Sequence, residues 1–201
     1  MRNIFCYNTM IGKLRIEEED NAIIGVSVFD EDKTEQIKEI DQTKEIEQTK
    51  ETELPKETEL LKVTVQTKGI ELTKETKQIK ETEQIKETEL IKRTYLQLME
   101  YFEGKRITFD VPIRLEGTNF QTKVWEELRK IPYGETRSYG EIAKQVGVPK
   151  GARAVGGANH NNPILIIVPC HRVIGSSGAL VGFGAGIPVK EILLKLENQE
   201  K

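Results

Sequence analysis

Two or three short strand-like runs of mainly apolar residues lie near the start of the chain, at 3–7, 12–16 and 22–28. Apolar and polar residues alternate most clearly at 12–16, and such a period of two is typical of a strand that is buried on one face. Polar, turn-like residues such as Asp20 and Asn21 separate the runs. The pattern predicts a small antiparallel sheet.

The pattern changes at Glu35, where a six-residue motif with lysine in fourth place begins and repeats ten times as far as Thr94. A helix has about 3.6 residues per turn, so successive copies point in different directions and form no single apolar stripe. Apolar residues are few, and Pro55 and Gly69 interrupt the tract. We interpret it as a solvated insert, either disordered or a poorly packed helix, with an array of partner-binding sites as the alternative.

Helical spacing of apolar residues begins in the last repeat units and continues beyond them, at Ile91, Tyr95, Leu98 and Phe102. A strand-like segment at 107–111 follows, and then an extended linker that ends near Gly117. We expect this helix, strand and linker to complete the N-terminal sheet domain.

Two capping boxes, Thr118 with Gln121 and Ser138 with Glu141, each predict the start of a helix. After the second of these helices, a glycine-containing turn leads to another predicted helix at about 150–158. This order and spacing are those of a helix-turn-helix. Another helix is predicted from Pro188, because proline is favoured in the first helical turn.

Small residues dominate the second helix of the predicted helix-turn-helix, and Arg153 is the one long side chain among them. Small side chains allow the helix to approach another surface closely. These positions are Ala152, Ala154, Gly156, Gly157 and Ala158.

An uninterrupted apolar run, 164–168, leads directly to Pro169, Cys170, His171 and Arg172. The run predicts a strand buried on both faces that stops at the proline. A free thiol has a pKa of about 8.5, and nearby positive charge or a histidine base raises the thiolate fraction. The run alone is more typical of an inert buried cysteine, and a nucleophilic cysteine is the alternative that the surrounding residues must decide.

Composition limits the other chemistry available to the 201 residues. Two cysteines and two histidines are too few for a disulfide framework or a four-ligand zinc site, so we expect a reduced, metal-free protein. Residues 95–201 hold 14 Lys and Arg against 11 Asp and Glu, and the resulting +3 suits a surface that faces phosphates. No signal peptide or membrane-spanning run is apparent, so we expect a cytoplasmic protein.

Five segments carry a family resemblance: 120–125, 131–139, 153–157, 162–163 and 169–173. In letters they are FQTKVW, IPYGETRSY, RAVGG, NP and PCHRV. Together they resemble the O6-alkylguanine-DNA alkyltransferases, the methylated-DNA–protein-cysteine methyltransferases. The resemblance covers about 95–198, and 1–32 resembles the start of the family's variable N-terminal domain.

The fold that the resemblance implies is α/β (α+β), with a small N-terminal antiparallel sheet domain and a C-terminal helix-turn-helix, winged-helix-like alkyltransferase domain. On this basis we divide the chain into a sheet domain that starts at 1–34, a repeat insert at 35–94, a completing segment at 95–117 and a DNA-binding alkyltransferase domain at 118–201.

The chemistry that the resemblance implies is irreversible, single-turnover transfer of an alkyl group from O6-alkylguanine in double-stranded DNA to the protein's own cysteine. O4-alkylthymine is a second candidate substrate. Cys170 matches the nucleophile, His171 the histidine that deprotonates it through a water, and Glu197 the carboxylate that orients the histidine. No cofactor is expected, and a monomer is expected.

The resemblance also assigns positions for DNA and substrate. Tyr139 matches the tyrosine that helps to rotate the base, and Arg153 the arginine that fills the gap, with Ala152, Gly156 and Gly157 beside it. Asn162 matches the residue that ties the helix-turn-helix to the active-site strand.

The substrate pocket departs from the family pattern. Phe183 and Gly184 match positions of the pocket loop, where the family commonly has tyrosine and then serine or alanine. Leu165 stands where many members have a second proline. These departures bear on alkyl-group preference and rate.

Two other classes of function remain open from the sequence. A non-enzymatic lesion-binding protein would be similar to the alkyltransferase-like relatives, which lack the cysteine that Cys170 supplies here. An interaction protein built on the repeat would carry a decayed alkyltransferase domain. The complete set of matched residues argues against such decay: Cys170, His171, Glu197, Tyr139 and Arg153.

Overall fold

The structure is a computed structural model that describes residues 1–29 and 83–198. Repeat units between 35 and 82 lie outside the described residues, so their interpretation as a solvated insert stays a prediction. Within the described ranges, no helix is both long enough and apolar enough to cross a membrane.

A four-stranded sheet forms the N-terminal part, in the order β3-β2-β1-β4. Its strands are β1 (Arg2–Thr9), β2 (Gly12–Glu19), β3 (Ala22–Phe29) and β4 (Glu83–Ile85). The first three pair antiparallel, as the strand-like runs and the turns between them predict, whereas β4 pairs parallel with β1. Asp20 and Asn21 have φ values of 51° and 59°, which the tight turn between β2 and β3 requires and which these two residue types tolerate.

Helix α1 (Glu89–Phe102) packs its apolar face against this sheet. Thr88 caps it, because the threonine hydroxyl accepts a hydrogen bond from the Ile91 backbone N–H at 3.1 Å. The last two repeat units are therefore part of the fold, one as β4 and the cap, the other as the first turns of α1. The predicted boundary at residue 94 falls inside this helix.

The strand predicted at 107–111 does not form. The chain instead meets the edge of β3 a few residues later, where Ile23 N–H donates to Pro112 O and Arg114 N–H donates to Ile23 O, both at 2.9 Å. Pro112 has no N–H to offer to a ladder, so pairing is limited to a single bridge between Ile23 and Ile113.

The C-terminal part is helical. It contains α2 (Asn119–Leu128), α3 (Tyr139–Gln145), α4 (Ala152–His160) and α5 (Ile187–Asn198). Both predicted capping boxes are present, at the starts of α2 and α3. Helices α3 and α4 form the predicted helix-turn-helix, and Trp125 on α2 donates its indole N–H to Ala158 O at 2.8 Å. A short parallel pair, β5 (Arg137–Ser138) and β6 (Val173–Ile174), lies beside them.

The apolar run 164–168 is buried except for the half-buried Ile167, and it forms a tight turn, not the predicted strand. Val168 N–H donates to Ile164 O at 3.0 Å, and Ile166 has a φ of 72°. Such a φ is a strained conformation for a β-branched residue. Only the start of the run follows β3, where Leu165 N–H donates to Val26 O at 2.9 Å. An apolar run in a sequence indicates that the segment is buried, but it does not distinguish a buried turn from a buried strand.

Candidate active site

Cys170 opens a single 3-10 turn, 170–172, immediately after the buried turn. Its sulfur lies 3.1 Å from Asn162 Nδ2, which also donates to Val168 O at 2.8 Å. Asn162 Oδ1 accepts from Ile164 N–H at 3.1 Å. Asn162 follows the end of α4, so its side chain joins the helix-turn-helix to the segment that carries the cysteine.

The Cys170 thiol is neutral in the resting protein. Burial raises its pKa to about 11, although the hydrogen bond from Asn162 and the charge of Lys190 act in the opposite direction. This differs from the expectation that neighbouring positive charge would favour the thiolate. The Arg172 guanidinium is engaged elsewhere, with Glu197 and with Ile131 O. A nearby base would therefore have to take the thiol proton before the sulfur could act as a nucleophile.

His171 is fully buried and is oriented by Glu197, whose Oε1 lies 2.8 Å from His171 Nε2. Burial lowers the pKa of His171, although Glu197 opposes this effect, so the ring is neutral at pH 7. If Nε2 carries the hydrogen and donates it to Glu197, Nδ1 keeps a lone pair. In the described part of the chain, Nδ1 has no hydrogen-bond partner.

Glu197 is a buried carboxylate that several donors hold in place. Burial opposes its ionisation, but hydrogen bonds from His171 and Arg172 hold its pKa at about 2. The Arg172 guanidinium donates to both oxygens, from Nε to Oε2 and from Nη2 to Oε1, each at 2.9 Å. Gly134 N–H donates to Oε2 at 3.1 Å. A side chain at position 134 would collide with the Glu197 backbone, so this approach requires glycine.

Sequence reasoning missed two members of this network. Arg172 was considered only as a charge beside the cysteine, whereas it is the counterion of Glu197. Tyr101 on α1 donates its hydroxyl to Glu197 Oε1 at 2.6 Å. The only sequence signal for Tyr101 is its place on the apolar face of a helix, which indicates burial and not a hydrogen bond.

Tyr139 and the buried Lys190 anchor the loop after β6. Sequence reasoning did not predict the role of Lys190. The Tyr139 hydroxyl donates to Val181 O at 2.7 Å, and Lys190 Nζ donates to Val173 O at 2.6 Å and to Val181 O at 3.0 Å. Lys190 Nζ also lies 5.8 Å from the centre of the Tyr139 ring. Burial lowers the pKa of Lys190.

The predicted DNA-contacting positions on α4 are not all equivalent. Arg153 and Gly157 are exposed and lie four residues apart, on one face of the helix. A Cβ on Gly157 would meet open space, whereas one on Gly156 would lie 3.9 Å from the Tyr139 ring. Ala152 is half-buried. Gly156 therefore faces α3, and Arg153 with Gly157 forms the open surface.

The pocket-loop positions lie close to α3 and α4. Phe183 is half-buried and packs against the core, while Gly184 is exposed. A Cβ on Gly184 would lie 3.5 Å from His160 O, an ordinary contact, so the backbone there does not demand glycine. Among the residues described, no cluster of three or more His, Cys, Asp or Glu side chains could hold a metal ion.

Comparison with known proteins agrees with this geometry. The sequence profile described as "6-O-methylguanine DNA methyltransferase, DNA binding domain" matches residues 119–199. A methylated-DNA–protein-cysteine methyltransferase of Methanosarcina acetivorans is 61% identical over 102 residues, which are 51% of this chain and 65% of that relative. The chain therefore spans slightly less than two thirds of that curated relative.

Solved structures extend the similarity to the whole chain. The crystal structure of the Mycobacterium tuberculosis O6-methylguanine methyltransferase has a TM-score of 0.69 and 36% identity, and the match covers 100% of this chain and 95% of that one. Its complex with DNA also has a TM-score of 0.69, with 35% identity over 98% of this chain and 92% of that one. The chain belongs to the O6-methylguanine-DNA methyltransferase family.

Proposed function

We propose that this protein repairs double-stranded DNA by transferring an alkyl group from O6-alkylguanine to Cys170. One observation carries the proposal: a buried thiol lies next in sequence to a neutral, Glu197-oriented histidine whose Nδ1 has no hydrogen-bond partner among the described residues. A nucleophile, a base and a group that orients the base are the requirements for nucleophilic catalysis. The relatives with this chemistry in their names support the proposal.

In the proposed reaction, the Cys170 sulfur loses its proton and gains the alkyl group. The Cys170 proton passes through a water to His171 Nδ1 as the sulfur attacks the alkyl carbon. The bond between that carbon and guanine O6 breaks, a carbon–sulfur bond forms, and the guanine leaves with its electron pair and regains a proton. Glu197 stabilises the imidazolium that forms. The thioether product is stable, so each molecule reacts once.

Access to the O6 atom requires the guanine to leave the duplex, which costs a few kcal/mol. Arg153 is the exposed long side chain on α4, and it occupies the gap that the extruded base leaves. Tyr139 crowds the phosphate of the target nucleotide and favours its rotation. Gly157, beside Arg153 on the open face, keeps that side of α4 narrow enough for the minor groove, while the close packing of Gly156 and Ala152 sets the position of the helix. The relative from Mycobacterium tuberculosis has been solved in complex with DNA.

The alternatives are weaker for chemical reasons. A lesion-binding protein needs no nucleophile, yet this chain holds a cysteine, a base and a carboxylate together. An interaction protein with a decayed domain would not need the Glu197 network intact. Transfer from O4-alkylthymine, a monomeric state and a cytoplasmic location stay predictions of the sequence.

Intact-mass spectrometry after incubation with duplex DNA that contains O6-methylguanine tests the proposal. We expect a gain of one CH₂, about 14 Da, on Cys170. Cys170→Ser should abolish the gain and retain DNA binding, while Cys6→Ser, the matched control, should react normally. A chelator should not reduce the yield. Absence of the gain, or a methyl group on Cys6, would refute the assignment.

A further inference from the structure

The Tyr101 hydroxyl reaches the active-site pair from helix α1, which lies outside residues 119–199. Its oxygen is 2.6 Å from Glu197 Oε1 and 3.4 Å from His171 Nε2. We propose that Tyr101 is a positioning residue for alkyl transfer, which acts by donating a hydrogen bond to Glu197 and thereby sets the orientation and basicity of His171. The inference rests on the proposed function and deepens it.

The direction of this hydrogen bond follows from the protonation states. Burial and the neighbouring Glu197 carboxylate raise the pKa of Tyr101, so the hydroxyl keeps its proton and donates. Glu197 is ionised and accepts. Its Oε1 therefore receives hydrogen bonds from Tyr101, from His171 Nε2 and from Arg172 Nη2.

The hydroxyl moderates the effect of Glu197 on the histidine. A carboxylate oxygen that accepts an additional hydrogen bond has less negative charge available to stabilise an imidazolium. Without the Tyr101 hydroxyl, Glu197 would stabilise the protonated form of His171 more strongly. His171 would then hold a proton at higher pH and would be unable to accept one from the thiol under mildly acidic conditions.

Packing fixes the hydroxyl independently of α5. The Tyr101 ring contacts the rings of Phe102 and Phe109, with centroids 5.8 and 5.7 Å away, and is fully buried. Its third ring neighbour is Tyr133, 6.1 Å away.

Among the described residues, the titratable or charged groups that act most strongly on the Tyr101 hydroxyl are Glu197, Arg172 and Tyr133. Those that act most strongly on the His171 ring are Glu197, Arg172 and Lys190. Removal of the hydroxyl therefore changes a defined electrostatic environment.

Tyr101→Phe tests the inference because it removes only the hydroxyl. Histidine NMR titration of the resting protein has two signals to follow, His171 and the exposed His160, which serves as an internal reference. We expect the His171 midpoint to move to higher pH while that of His160 stays unchanged. The single-turnover transfer rate should fall about three- to tenfold at pH 6 and less at pH 8, since one hydrogen bond is lost. Affinity for DNA should not change.

Phe109→Leu is the matched control, because it disturbs the packing of the Tyr101 ring and leaves the hydroxyl in place. It should lower the melting temperature without moving the His171 midpoint. An unchanged midpoint in Tyr101→Phe would overturn the inference, whatever happens to rate or stability, and so would an equal shift in Phe109→Leu. The titration does not require alkyl transfer, so a wild-type protein that transfers nothing would refute the proposed function alone.

Discussion

At the residue scale, the charged groups of the site are separate from the Cys170 thiol. Cys170 rests as a neutral thiol in a buried position, while the ionised pair of Glu197 and Arg172 lies behind His171. An isolated thiolate would be costly to bury, because a charge in a low-dielectric interior needs a partner. In the proposed reaction, the thiol would become a nucleophile only as His171 takes its proton.

Glu197→Gln should slow the chemical step by at least about tenfold, because a neutral amide supports an imidazolium poorly. It should also lower the free energy of unfolding by about 3 kcal/mol, since Arg172 would lose its buried counterion. Single-turnover transfer and thermal melting measure the two effects. Glu191→Gln is the control, because Glu191 lies on the same helix and pairs with Lys195 at the surface. An unaltered transfer rate for Glu197→Gln would exclude the proposed orienting role.

At the element scale, one copy of the repeat has become part of the sheet. In the unit 83–88, the first three residues form β4, Glu87 accepts a hydrogen bond from the Tyr7 hydroxyl at 2.5 Å, and Thr88 caps α1. The preceding unit, 77–82, has the sequence KQIKET, which differs from EQIKET only at its first position. A shift of the chain by one whole unit would therefore place the same side chains against Tyr7 and α1.

The effect of a deletion within the repeat should depend on whether it removes whole six-residue units or only part of a unit. Deletion of residues 83–88 places KQIKET before Glu89 and should leave the melting temperature and transfer rate nearly unchanged. Deletion of whole units within 43–82 should also have little effect, because lengthening or shortening a loop by a factor of two changes its closure cost by only about 0.6 kcal/mol.

Deletion of residues 86–88 is the out-of-phase counterpart, since it removes the contacts of Glu87 and Thr88 and leaves isoleucine at the cap position. The loss of a cap alone costs about 1 kcal/mol, and we expect melting to fall by a few degrees. Comparable losses for the deletions of 83–88 and of 86–88 would contradict this interpretation. A tenfold drop in transfer rate after deletion of units within 43–82 would show that the tract takes part in the reaction.

At the scale of the whole molecule, the N-terminal sheet is hydrogen-bonded to the segment that leads to Cys170. Residues 112–114 bond to the edge of β3 at Ile23, and residues 163–165 bond to it at Val26. Tyr101 adds a contact from the N-terminal part to the Glu197 network. The N-terminal part therefore supports the site directly, although its sequence resembles the family less clearly.

Stability should decrease steadily on acidification below about pH 6.5. The folded protein holds the Glu197 pKa at about 2, below its ordinary 4.5, and burial lowers the His171 pKa from its ordinary 6.5. The unfolded chain therefore binds more protons than the folded chain as pH falls through this range, which favours unfolding. The Glu197 contribution is present above pH 4.5, is lost between pH 4.5 and 2, and amounts to at most about 3 kcal/mol.

Urea unfolding at a series of pH values measures this dependence. In Glu197→Gln the slope below pH 4.5 should become shallower, whereas Glu191→Gln should follow the wild type. A wild-type stability that stays constant between pH 6.5 and 3 would be inconsistent with a buried neutral histidine and a strongly held carboxylate.

Features that depend on residues close together in the chain could be predicted before the structure was known. The strand-like runs formed the three antiparallel strands, and both capping boxes formed, because a threonine or serine bonds to residues only three positions away. The spacing of the helix-turn-helix was visible for the same reason. The family resemblance pointed to Cys170, His171, Glu197 and Asn162, which the structure brings together through hydrogen bonds, whereas the DNA-contacting roles of Tyr139 and Arg153 stay predictions.

Tertiary structure decided everything that depends on partners distant in the chain. Residues 164–168 formed a turn with Ile166 at a positive φ, since burial of an apolar run does not distinguish a turn from a strand. The segment after 107–111 makes only a single bridge to β3, at Ile113. Burial set the thiol of Cys170 neutral, against the expectation from adjacent charge. Tyr101, Arg172 and Lys190 acquired their contacts only when α1, the 3-10 turn and α5 came together, because hydrogen bonds between residues far apart in sequence leave no periodic signal along the chain.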